Sequence, residues 1–261
     1  MNEGPVFITG ASSGIGAALA EHYAASGRPL GLLGRDRGRL EALADRLPAP
    51  AACYVADVTD AARVAEAAAD FIARFGAPSI VVASAGVSAG TLTELPEDLA
   101  SFRRIMDTNV FGMAASFSPF IAAMKGVAAS GAPARLVGIA SVSGIRGLPG
   151  AGAYSASKAA AIAYLESLRV ELAGSGIRVV TIAPGYIATP MTEHNPYRMP
   201  FRIPADVAAR RFARVISRGT RYAVIPWPMA IVAKGLRLLP DALYDRLFAN
   251  APRKPRNTQL R

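Results

Sequence analysis

The sequence has few of the residues that build metal sites and covalent cross-links. Its 261 residues include one cysteine and two histidines. A single cysteine forms no internal disulfide, and we expect Cys53, which lies in an apolar run, to be a small buried core residue rather than a nucleophile. His22 and His194 belong to no cluster with metal-ligand spacing, so no bound metal is expected. These shortages fit the reducing cytoplasm.

Long uncharged stretches are also missing. No run reaches the roughly 18 apolar residues that span a bilayer, and residues 5–9 pass directly into a glycine-rich turn, unlike a secretory signal. Charged residues make up only 18% of the chain and apolar residues 52%, which excludes a disordered chain. We therefore expect a globular protein with a sizeable core.

The positive charges are concentrated in the C-terminal quarter. Residues 1–197 carry 15 basic and 16 acidic side chains, whereas residues 198–261 carry 14 basic and 3 acidic ones. One interpretation is a solvated arginine-rich surface, and the other is an anionic partner. No nucleic-acid-binding motif or interleaved aromatic residues lie near Arg253 and Arg256, so a nucleic acid is not the expected partner.

Short apolar runs alternate with alanine-rich segments of helical periodicity. The candidate strands are Val6–Thr9, Leu30–Gly34, Ala52–Ala56, Ile80–Ala83, Leu136–Ala140, Val179–Ala183 and Tyr222–Pro226. Most runs are continuous rather than alternating, which is typical of parallel strands buried on both faces. Repeated strand–helix–strand units predict an α/β fold, a doubly wound parallel sheet of about seven strands in a three-layer α/β/α sandwich. We expect one domain over residues 1–226 and an extension over 227–261.

A glycine-rich turn follows the first candidate strand. It reads Thr9-Gly10-Ala11-Ser12-Ser13-Gly14-Ile15-Gly16 and leads into a helical run over residues 17–26. Glycines in such a turn let the backbone approach a pyrophosphate, and the next helix presents its N–H groups and positive dipole end to the phosphates. Between the first strand and first helix of an α/β chain, the turn predicts dinucleotide binding.

The residues and spacing of this turn resemble the glycine-rich motif of the short-chain dehydrogenase/reductase family, a group of Rossmann-like NAD(P)-binding oxidoreductases. Further matches are Asp57-Val58, Ser84-Ala85-Gly86, Asn109-Val110, Ser141, Tyr154, Lys158, Pro184-Gly185 and Thr189, in that order. The resemblance covers about residues 5–226. One departure is Ser84, or Ala83, where the family has an asparagine. The cofactor contacts that we predict are Gly10, Ser12, Ser13, Gly14, Ile15, Gly16, Arg35, Asp57, Val58, Ala85, Gly86, Asn109, Tyr154, Lys158, Pro184, Gly185, Ile187 and Thr189.

The catalytic residues implied by the resemblance are Asn109, Ser141, Tyr154 and Lys158. Tyr154 and Lys158 are four residues apart, so they share one face of a predicted helix over 154–172. The ammonium and an oxidised nicotinamide are expected to lower the pKa of Tyr154, the general acid/base. Ser141 is expected to hydrogen-bond the substrate oxygen. The family resemblance gives Asn109 the support of a water that links Lys158 to solvent.

The choice of cofactor depends on the end of the second strand. Gly34 occupies the position where a carboxylate would bind the ribose hydroxyls of NAD, and Arg35 follows, with a guanidinium that can pair with a 2′-phosphate. We expect Asp36 to cap the next helix instead. Arg37 and Arg39 either reinforce the phosphate site or face solvent. NADP(H) is therefore the predicted cofactor, with NAD(H) as the alternative.

Substrate selectivity is expected to lie in a lid over about residues 189–203. Its prolines exclude one regular helix, and its apolar residues are Met191, Tyr197, Met199 and Phe201. They predict a bulky or apolar carbonyl substrate if they face the site; the alternative is that they pack on the body. His194 is expected to be a lid surface residue.

The extension over residues 227–261 is basic and amphipathic. It is expected to pack on the body or on a partner subunit, with peripheral membrane contact as the alternative. The family resemblance implies a homodimer or homotetramer. The predicted function is NADP(H)-dependent hydride transfer between the nicotinamide and a carbonyl/alcohol substrate. A catalytically silent NAD(P)-binding sensor or scaffold is the alternative.

Overall fold

Parallel strands form the centre of the molecule. The computed structural model describes residues 4–193, 195 and 197–256. The strands of the main sheet are β1 (Val6–Thr9), β2 (Leu30–Gly34), β3 (Ala51–Val55), β4 (Ile80–Ala83), β5 (Ala134–Ile139), β6 (Ile177–Pro184) and β9 (Tyr222–Ile225). Two short strands, β7 (Ile187–Ala188) and β8 (Ile203–Pro204), pair separately in parallel.

Helices connect the strands and cover both faces of the sheet. They are α1 (Gly14–Ala24), α2 (Arg37–Ala44), α3 (Ala61–Phe75), α4 (Asp98–Met106), α5 (Gly112–Phe117), α6 (Ile121–Ala129), α7 (Gly152–Glu171), α8 (Pro190–Glu193), α9 (Ala205–Arg218), α10 (Pro228–Leu238) and α11 (Asp241–Phe248). A π-helical turn (Asp107–Phe111) joins α4 to α5, and 3₁₀ turns cover Ser118–Phe120 and Val142–Gly144.

The strand order places a crevice at the centre of the sheet. The order is β3-β2-β1-β4-β5-β6-β9, with every neighbouring pair parallel. The chain moves outward in one direction from β1 to β3 and in the other from β4 to β9. The loops after β1 and β4 therefore diverge, and ligands of such sheets bind at the carboxyl ends of these strands.

The core forms two layers, one on each face of the sheet. Val6 and Ile8 of β1 pack with α1, α2 and α9 on one face, whereas Phe7 points to the other. The Phe7 ring lies 5.2 Å from that of Phe71 on α3 and 4.7 Å from that of Phe120 (centroid to centroid). This alternation confirms the predicted three-layer α/β/α sandwich, since the central strands β1, β2 and β4 bury both of their faces.

The predicted strands all form, but the bounds of β3, β5, β6 and β9 differ by one or two residues, and two further strands are present. β5 and β6 each begin two residues earlier than the sequence predicts, and β6 ends one residue later. The two-residue strands β7 and β8 were not predicted, because a pair this short leaves no periodic apolar signal. Cys53, expected to be buried, is only partly buried, and its partial burial raises the pKa of the thiol.

The continuous helical stretch Asp98–Ala129 is long and apolar enough, by length and composition alone, to cross a membrane. Its apolar side chains have another explanation. Ile105, Phe117, Phe120 and Met124 are fully buried within the protein. A core helix of a folded domain has the same composition, so this stretch is weak evidence for a membrane span.

Candidate active site

A cleft lies at the carboxyl ends of the central strands, and the glycine-rich turn after β1 forms one end of it. Gly10 and Gly14 have positive φ angles of 69° and 57°. A Cβ on Gly10 would lie 2.6 Å from the backbone nitrogen of Ala85, and one on Gly16 would lie 2.3 Å from the Gly10 carbonyl oxygen. The Ser13 side chain makes no capping hydrogen bond to α1. The turn therefore leaves the start of α1 open to an anionic group.

The end of β2 brings a cation and a carboxylate to the same cleft. The Arg35 Nη1 lies 3.6 Å from the Asp57 Oδ2, and both side chains remain partly exposed. Partial burial would raise the pKa of Asp57, but hydrogen bonds from Thr59 and the charges of Arg35 and Arg104 outweigh it and lower this pKa. Arg35 thus meets an ionised carboxylate at this end of the cleft.

Asp36 has the role that the sequence predicts for it. Its Oδ1 accepts a hydrogen bond from the Arg39 backbone nitrogen at 3.0 Å, which caps α2. The Arg39 side chain pairs with Asp36, and Arg37 pairs with Glu41. Neither arginine lines the cleft, so reinforcement of a phosphate site by Arg37 or Arg39 finds no support in this arrangement.

The catalytic candidates converge at the carboxyl end of β5. Ser141 begins the 3₁₀ turn after this strand, and its hydroxyl hydrogen-bonds Tyr154. The Lys158 Nζ lies 5.8 Å from the centre of the Tyr154 ring and donates to the Ile139 carbonyl oxygen at 2.9 Å. The predicted shared helical face therefore forms near the start of α7.

Burial has opposite effects on the two titrating groups. It raises the pKa of Tyr154, and the Ser141 hydrogen bond lowers it only in part. Desolvation outweighs the hydrogen bond here, and the predicted lowering of this pKa, which depends on the oxidised nicotinamide, stays a prediction. Burial also lowers the pKa of Lys158 to about 8. At neutral pH the tyrosine is thus neutral and the lysine largely charged.

Asn109 is completely buried behind the catalytic pair. Its amide nitrogen donates to the Val87 carbonyl oxygen (3.0 Å) and the Ser157 Oγ (2.9 Å), while its carbonyl oxygen accepts from the Val87 nitrogen (2.8 Å). The Ser157 hydroxyl donates to the Tyr154 carbonyl oxygen. Asn109 therefore joins the loop after β4 to the start of α7. Its role in a water relay stays a prediction.

Most of the predicted site residues line one cleft. They are Gly10, Ser12, Ser13, Gly14, Ile15, Arg35, Asp57, Val58, Ala85, Gly86, Ser141, Tyr154, Lys158, Pro184, Gly185, Ile187 and Thr189. Gly16 and Asn109 do not line it, and their contact with the cofactor stays a prediction. Gly16 lies behind the turn, where only a glycine fits against Gly10, and Asn109 lies behind Val87.

Several lining residues were not among the predicted cofactor contacts, although the sequence analysis named Gly34 and Ser84 for other reasons. They include Leu33, Gly34, Ala56, Ser84, Val87, Thr108, Ile139, Ala140, Pro190 and Thr192. Most stand beside a predicted contact at the end of a strand, so their position alone could have indicated them. Ser84 lines the cleft in place of the family's asparagine.

The lid is held at both ends by the pairing of β7 with β8. Met191 on α8 lines the cleft, and Tyr197 lies beside Tyr186 with a ring separation of 6.3 Å. Phe201 is 52% exposed and lines a different depression, with Trp227, so it is not an apolar residue of the active site. The predicted lid residue His194 lies outside the described residues.

The C-terminal extension packs on the body of the protein through its described part. Met229 on α10 contacts Gly185 closely, and the Tyr244 hydroxyl donates to the Gly147 carbonyl oxygen. Arg146 donates to two backbone carbonyl groups near the end of α10 and pairs with Asp241. Of the alternatives drawn from the sequence, packing on the body is therefore confirmed for the inner face of this segment.

Comparisons with known proteins agree with the geometry. Residues 5–198 match the family model described as short chain dehydrogenase. An uncharacterised oxidoreductase of Myxococcus xanthus (strain DK1622) is 37% identical over 241 residues, which cover 91% of this chain and 93% of that protein.

Two solved structures share the fold. A 3-ketoacyl-(acyl-carrier-protein) reductase from Brucella melitensis, complexed with NADH, superposes with a TM-score of 0.76 at 28% identity and covers 86% of this chain and 96% of its own. An alcohol dehydrogenase from the archaeon Thermococcus sibiricus, complexed with 5-hydroxy-NADP, gives a TM-score of 0.74 at 25% identity, with coverages of 85% and 96%.

Proposed function

The chain belongs to the short-chain dehydrogenase family, and on that premise we propose that it is an NADP(H)-dependent oxidoreductase acting on a carbonyl/alcohol pair. The observation that carries the proposal is the convergence of Ser141, Tyr154 and Lys158 at one end of a cleft whose other end holds the glycine-rich turn. The lid residue Met191 lines the same cleft, which favours a bulky or apolar substrate.

The residues of the cleft fit a dinucleotide. The crowded glycine turn and the uncapped start of α1 suit a pyrophosphate, and Lys158 would hold the nicotinamide ribose hydroxyls. Pro184, Gly185 and Thr189 would border the nicotinamide. When bound, the reduced nicotinamide supplies the hydride that the protein itself cannot provide.

Side chains of the protein itself donate and accept the proton of the reaction. In the reduction direction, Tyr154 donates its hydroxyl proton to the carbonyl oxygen, and its raised pKa keeps that proton in place at neutral pH. Ser141 donates a hydrogen bond to the same oxygen, where negative charge develops. The Lys158 ammonium stabilises the phenolate that remains, because it lies close to the ring. In the oxidation direction Tyr154 accepts the alcohol proton.

Arg35 supports NADP(H) as the preferred cofactor. Its guanidinium stands at the end of β2 beside the cleft, while Gly34 offers no carboxylate to the ribose hydroxyls. Asp36 is engaged as the helix cap and does not line the cleft. Gly34 places no carboxylate at the end of β2 to repel a 2′-phosphate, and the Arg35 guanidinium can pair with the phosphate in place of its present partner Asp57, which favours the phosphate over a free hydroxyl.

Absorbance of NADPH, followed over a panel of ketones, aldehydes and 3-oxoacyl compounds, tests the activity. We expect turnover of some of them by the wild-type chain. Tyr154→Phe should lower kcat by about 10²- to 10⁴-fold, because it removes the acid, and should keep NADPH binding. Tyr222→Phe, at an exposed tyrosine on the edge strand β9, is the matched control and should behave as wild type.

The same panel distinguishes the alternative, a silent NAD(P)-binding sensor or scaffold. Tight NADPH binding without turnover of any compound, or full activity of Tyr154→Phe, would contradict the proposed catalysis. The complete set of Asn109, Ser141, Tyr154 and Lys158 argues against the sensor, because a protein that only binds the cofactor has no need of the acid and its supports.

Further features support proposals about the whole protein. Residues 1–226 form the proposed catalytic domain and 227–261 its extension, and we propose the cytoplasm as the location because the single cysteine needs no oxidising compartment. Leu99 and Phe102 on α4 and Phe111 in the following π-helical turn are exposed apolar side chains, which suit a homodimer or homotetramer. The outward face of α10, which joins apolar and basic residues, suits an anionic membrane surface.

A further inference from the structure

A second lysine lies beside the catalytic tyrosine. Lys254, near the C-terminus, places its Nζ 5.6 Å from the centre of the Tyr154 ring, about as near as the Nζ of Lys158 at 5.8 Å. Its ammonium also donates to the Ser88 Oγ at 2.7 Å. Ser88 belongs to the loop after β4, whose residue Val87 lines the cleft. The lysine therefore stands at the boundary between the C-terminal segment and the active site.

The segment that carries Lys254 is firmly anchored. The Gly90 nitrogen donates to the Pro255 carbonyl oxygen at 2.9 Å. The Arg256 guanidinium forms two hydrogen bonds with the buried carboxylate of Asp98, at 2.8 and 3.0 Å, and one with Glu97. Because both neighbours on its C-terminal side are bound to the body, the backbone at Lys254 is held in place, and the hydrogen bond to Ser88 holds its ammonium near Tyr154.

The charge of Lys254 lacks a counter-charge in the described part of the chain. Its recorded contacts are a serine hydroxyl and an aromatic ring, and no carboxylate pairs with it there. Burial lowers the pKa of its ammonium to about 8, so most of the side chain is still charged at neutral pH. Partial burial of a cation without an anion costs free energy, and a bound ligand that supplies the anion offsets this cost.

We propose that Lys254 and Ser88 bind a carboxylate of the substrate, a few atoms from the carbonyl group that Tyr154 protonates. One ammonium and one hydroxyl match the two oxygen atoms of a carboxylate, whereas a phosphate calls for more donors. The substrate class is then an oxo acid or hydroxy acid, with its hydrocarbon part toward Met191. This proposal rests on the proposed oxidoreductase function and specifies its substrate.

Matched pairs of acid and ester test the assignment on the full chain with NADPH. The pairs are 4-oxopentanoate with its methyl ester, and 4-acetylbenzoate with its methyl ester. We expect wild type to favour the acid by about tenfold or more in kcat/KM, as hydrogen bonds to charged groups allow. Lys254→Met should bring this ratio close to one, mainly through KM of the acid. Lys254→Arg should restore part of the preference.

Lys234→Met is the matched control, because it removes an exposed lysine of α10 and should keep the wild-type ratio. A wild-type ratio near one, or an acid preference that survives in Lys254→Met, overturns the proposal. If no pair is turned over, the wider panel of ketones, aldehydes and 3-oxoacyl compounds decides separately on the proposed function. Calorimetric titration of the protein–NADP⁺ complex then decides: carboxylate binding that Lys254→Met abolishes supports the site, and equal binding of acid and ester refutes it.

Discussion

At the scale of single residues, the cleft separates two kinds of role. Tyr154 and Arg35 act through atoms that reach the cleft, whereas Gly16 and Asn109 act through what they hold in place. The sequence motif contains both kinds without distinguishing them. A glycine that contacts a phosphate and a glycine that supports the turn look the same in the sequence. The packing around Gly16 shows that it supports the turn, because a Cβ there would collide with the Gly10 carbonyl oxygen.

Arg35 gives the sharpest prediction for the choice of cofactor. Arg35→Asp removes the cation beside the proposed 2′-phosphate site and adds a carboxylate next to Asp57. We expect the ratio of kcat/KM for NADPH over NADH to fall by at least about tenfold, which corresponds to about 1.4 kcal/mol. Steady-state kinetics with both cofactors measure this ratio.

Arg37→Asp is the control for that change. It makes the same charge reversal two residues away, at an arginine that pairs with Glu41 and does not line the cleft. It should leave the NADPH/NADH ratio near that of wild type. An unchanged ratio in Arg35→Asp, or an equal fall in both variants, would show that Arg35 does not select the cofactor.

At the scale of secondary structure, the π-helical turn between α4 and α5 positions Asn109. This turn has one residue more than an α-helical turn, and such turns are frequent at functional sites. From it, Asn109 reaches both the loop after β4 and the start of α7. Three hydrogen bonds thus connect the elements that carry Tyr154 and the cleft residue Val87.

Asn109→Ala is expected to cost both stability and activity. It removes the hydrogen-bond partner of the partly buried backbone groups of Val87 and of the buried Ser157 hydroxyl, and an unsatisfied buried group costs about 1–3 kcal/mol. We expect the free energy of unfolding to fall by about 2 kcal/mol, as measured by urea denaturation. We also expect kcat to fall under conditions where the variant is fully folded, because α7 is no longer fixed to the loop.

Asn250→Ala, at an exposed asparagine, is the reference for that change. Both its stability and its kcat should equal those of wild type. An Asn109→Ala protein that unfolds more easily yet keeps its kcat when folded would limit Asn109 to a structural role.

The sequence predicted the strands better than the contacts between distant parts of the chain. Continuous apolar runs such as Leu30–Gly34 and Ile80–Ala83 identified their strands, because buried parallel strands leave no other pattern. The strands β7 and β8 were not predicted, since a strand of two residues has no periodic pattern. The contact between Lys254 and Tyr154 joins residues 100 positions apart in the chain. No local sequence pattern predicts a contact between residues so far apart. The family motifs predicted the catalytic residues but said nothing of this contact.

At the scale of the whole molecule, the C-terminal helices have two distinct faces. Met229 and Ala233 of α10 are buried against the body, whereas Ile231 and Leu238 are 65% and 72% exposed. Trp227, immediately before α10, is 70% exposed. Positions 227, 231, 234 and 238 recur at helical spacing, so these side chains and Lys234 share one outward face. Packing on the body and binding to another surface are therefore compatible.

We expect this outward face to bind anionic membranes. Its apolar side chains can enter the interface, and the excess of basic residues in 198–261 attracts acidic lipids. The full chain should co-sediment with phosphatidylglycerol vesicles at low salt and less with phosphatidylcholine vesicles. The double variant Trp227→Ser and Ile231→Ser should lose this binding while keeping its NADPH affinity, because both side chains point away from the cleft.

Deletion of residues 227–261 would be a poorer test, because it also removes Met229 from Gly185 and Lys254 from Tyr154. Val170→Ser, at an exposed apolar residue near the end of α7, is the better control and should sediment as wild type does. Equal binding to both lipids would exclude recognition of the acidic head groups. If the double variant instead changes the oligomeric state in light scattering and vesicle binding is absent, the outward face contacts a second copy of the chain, because apolar surface of this kind is covered by either occupant.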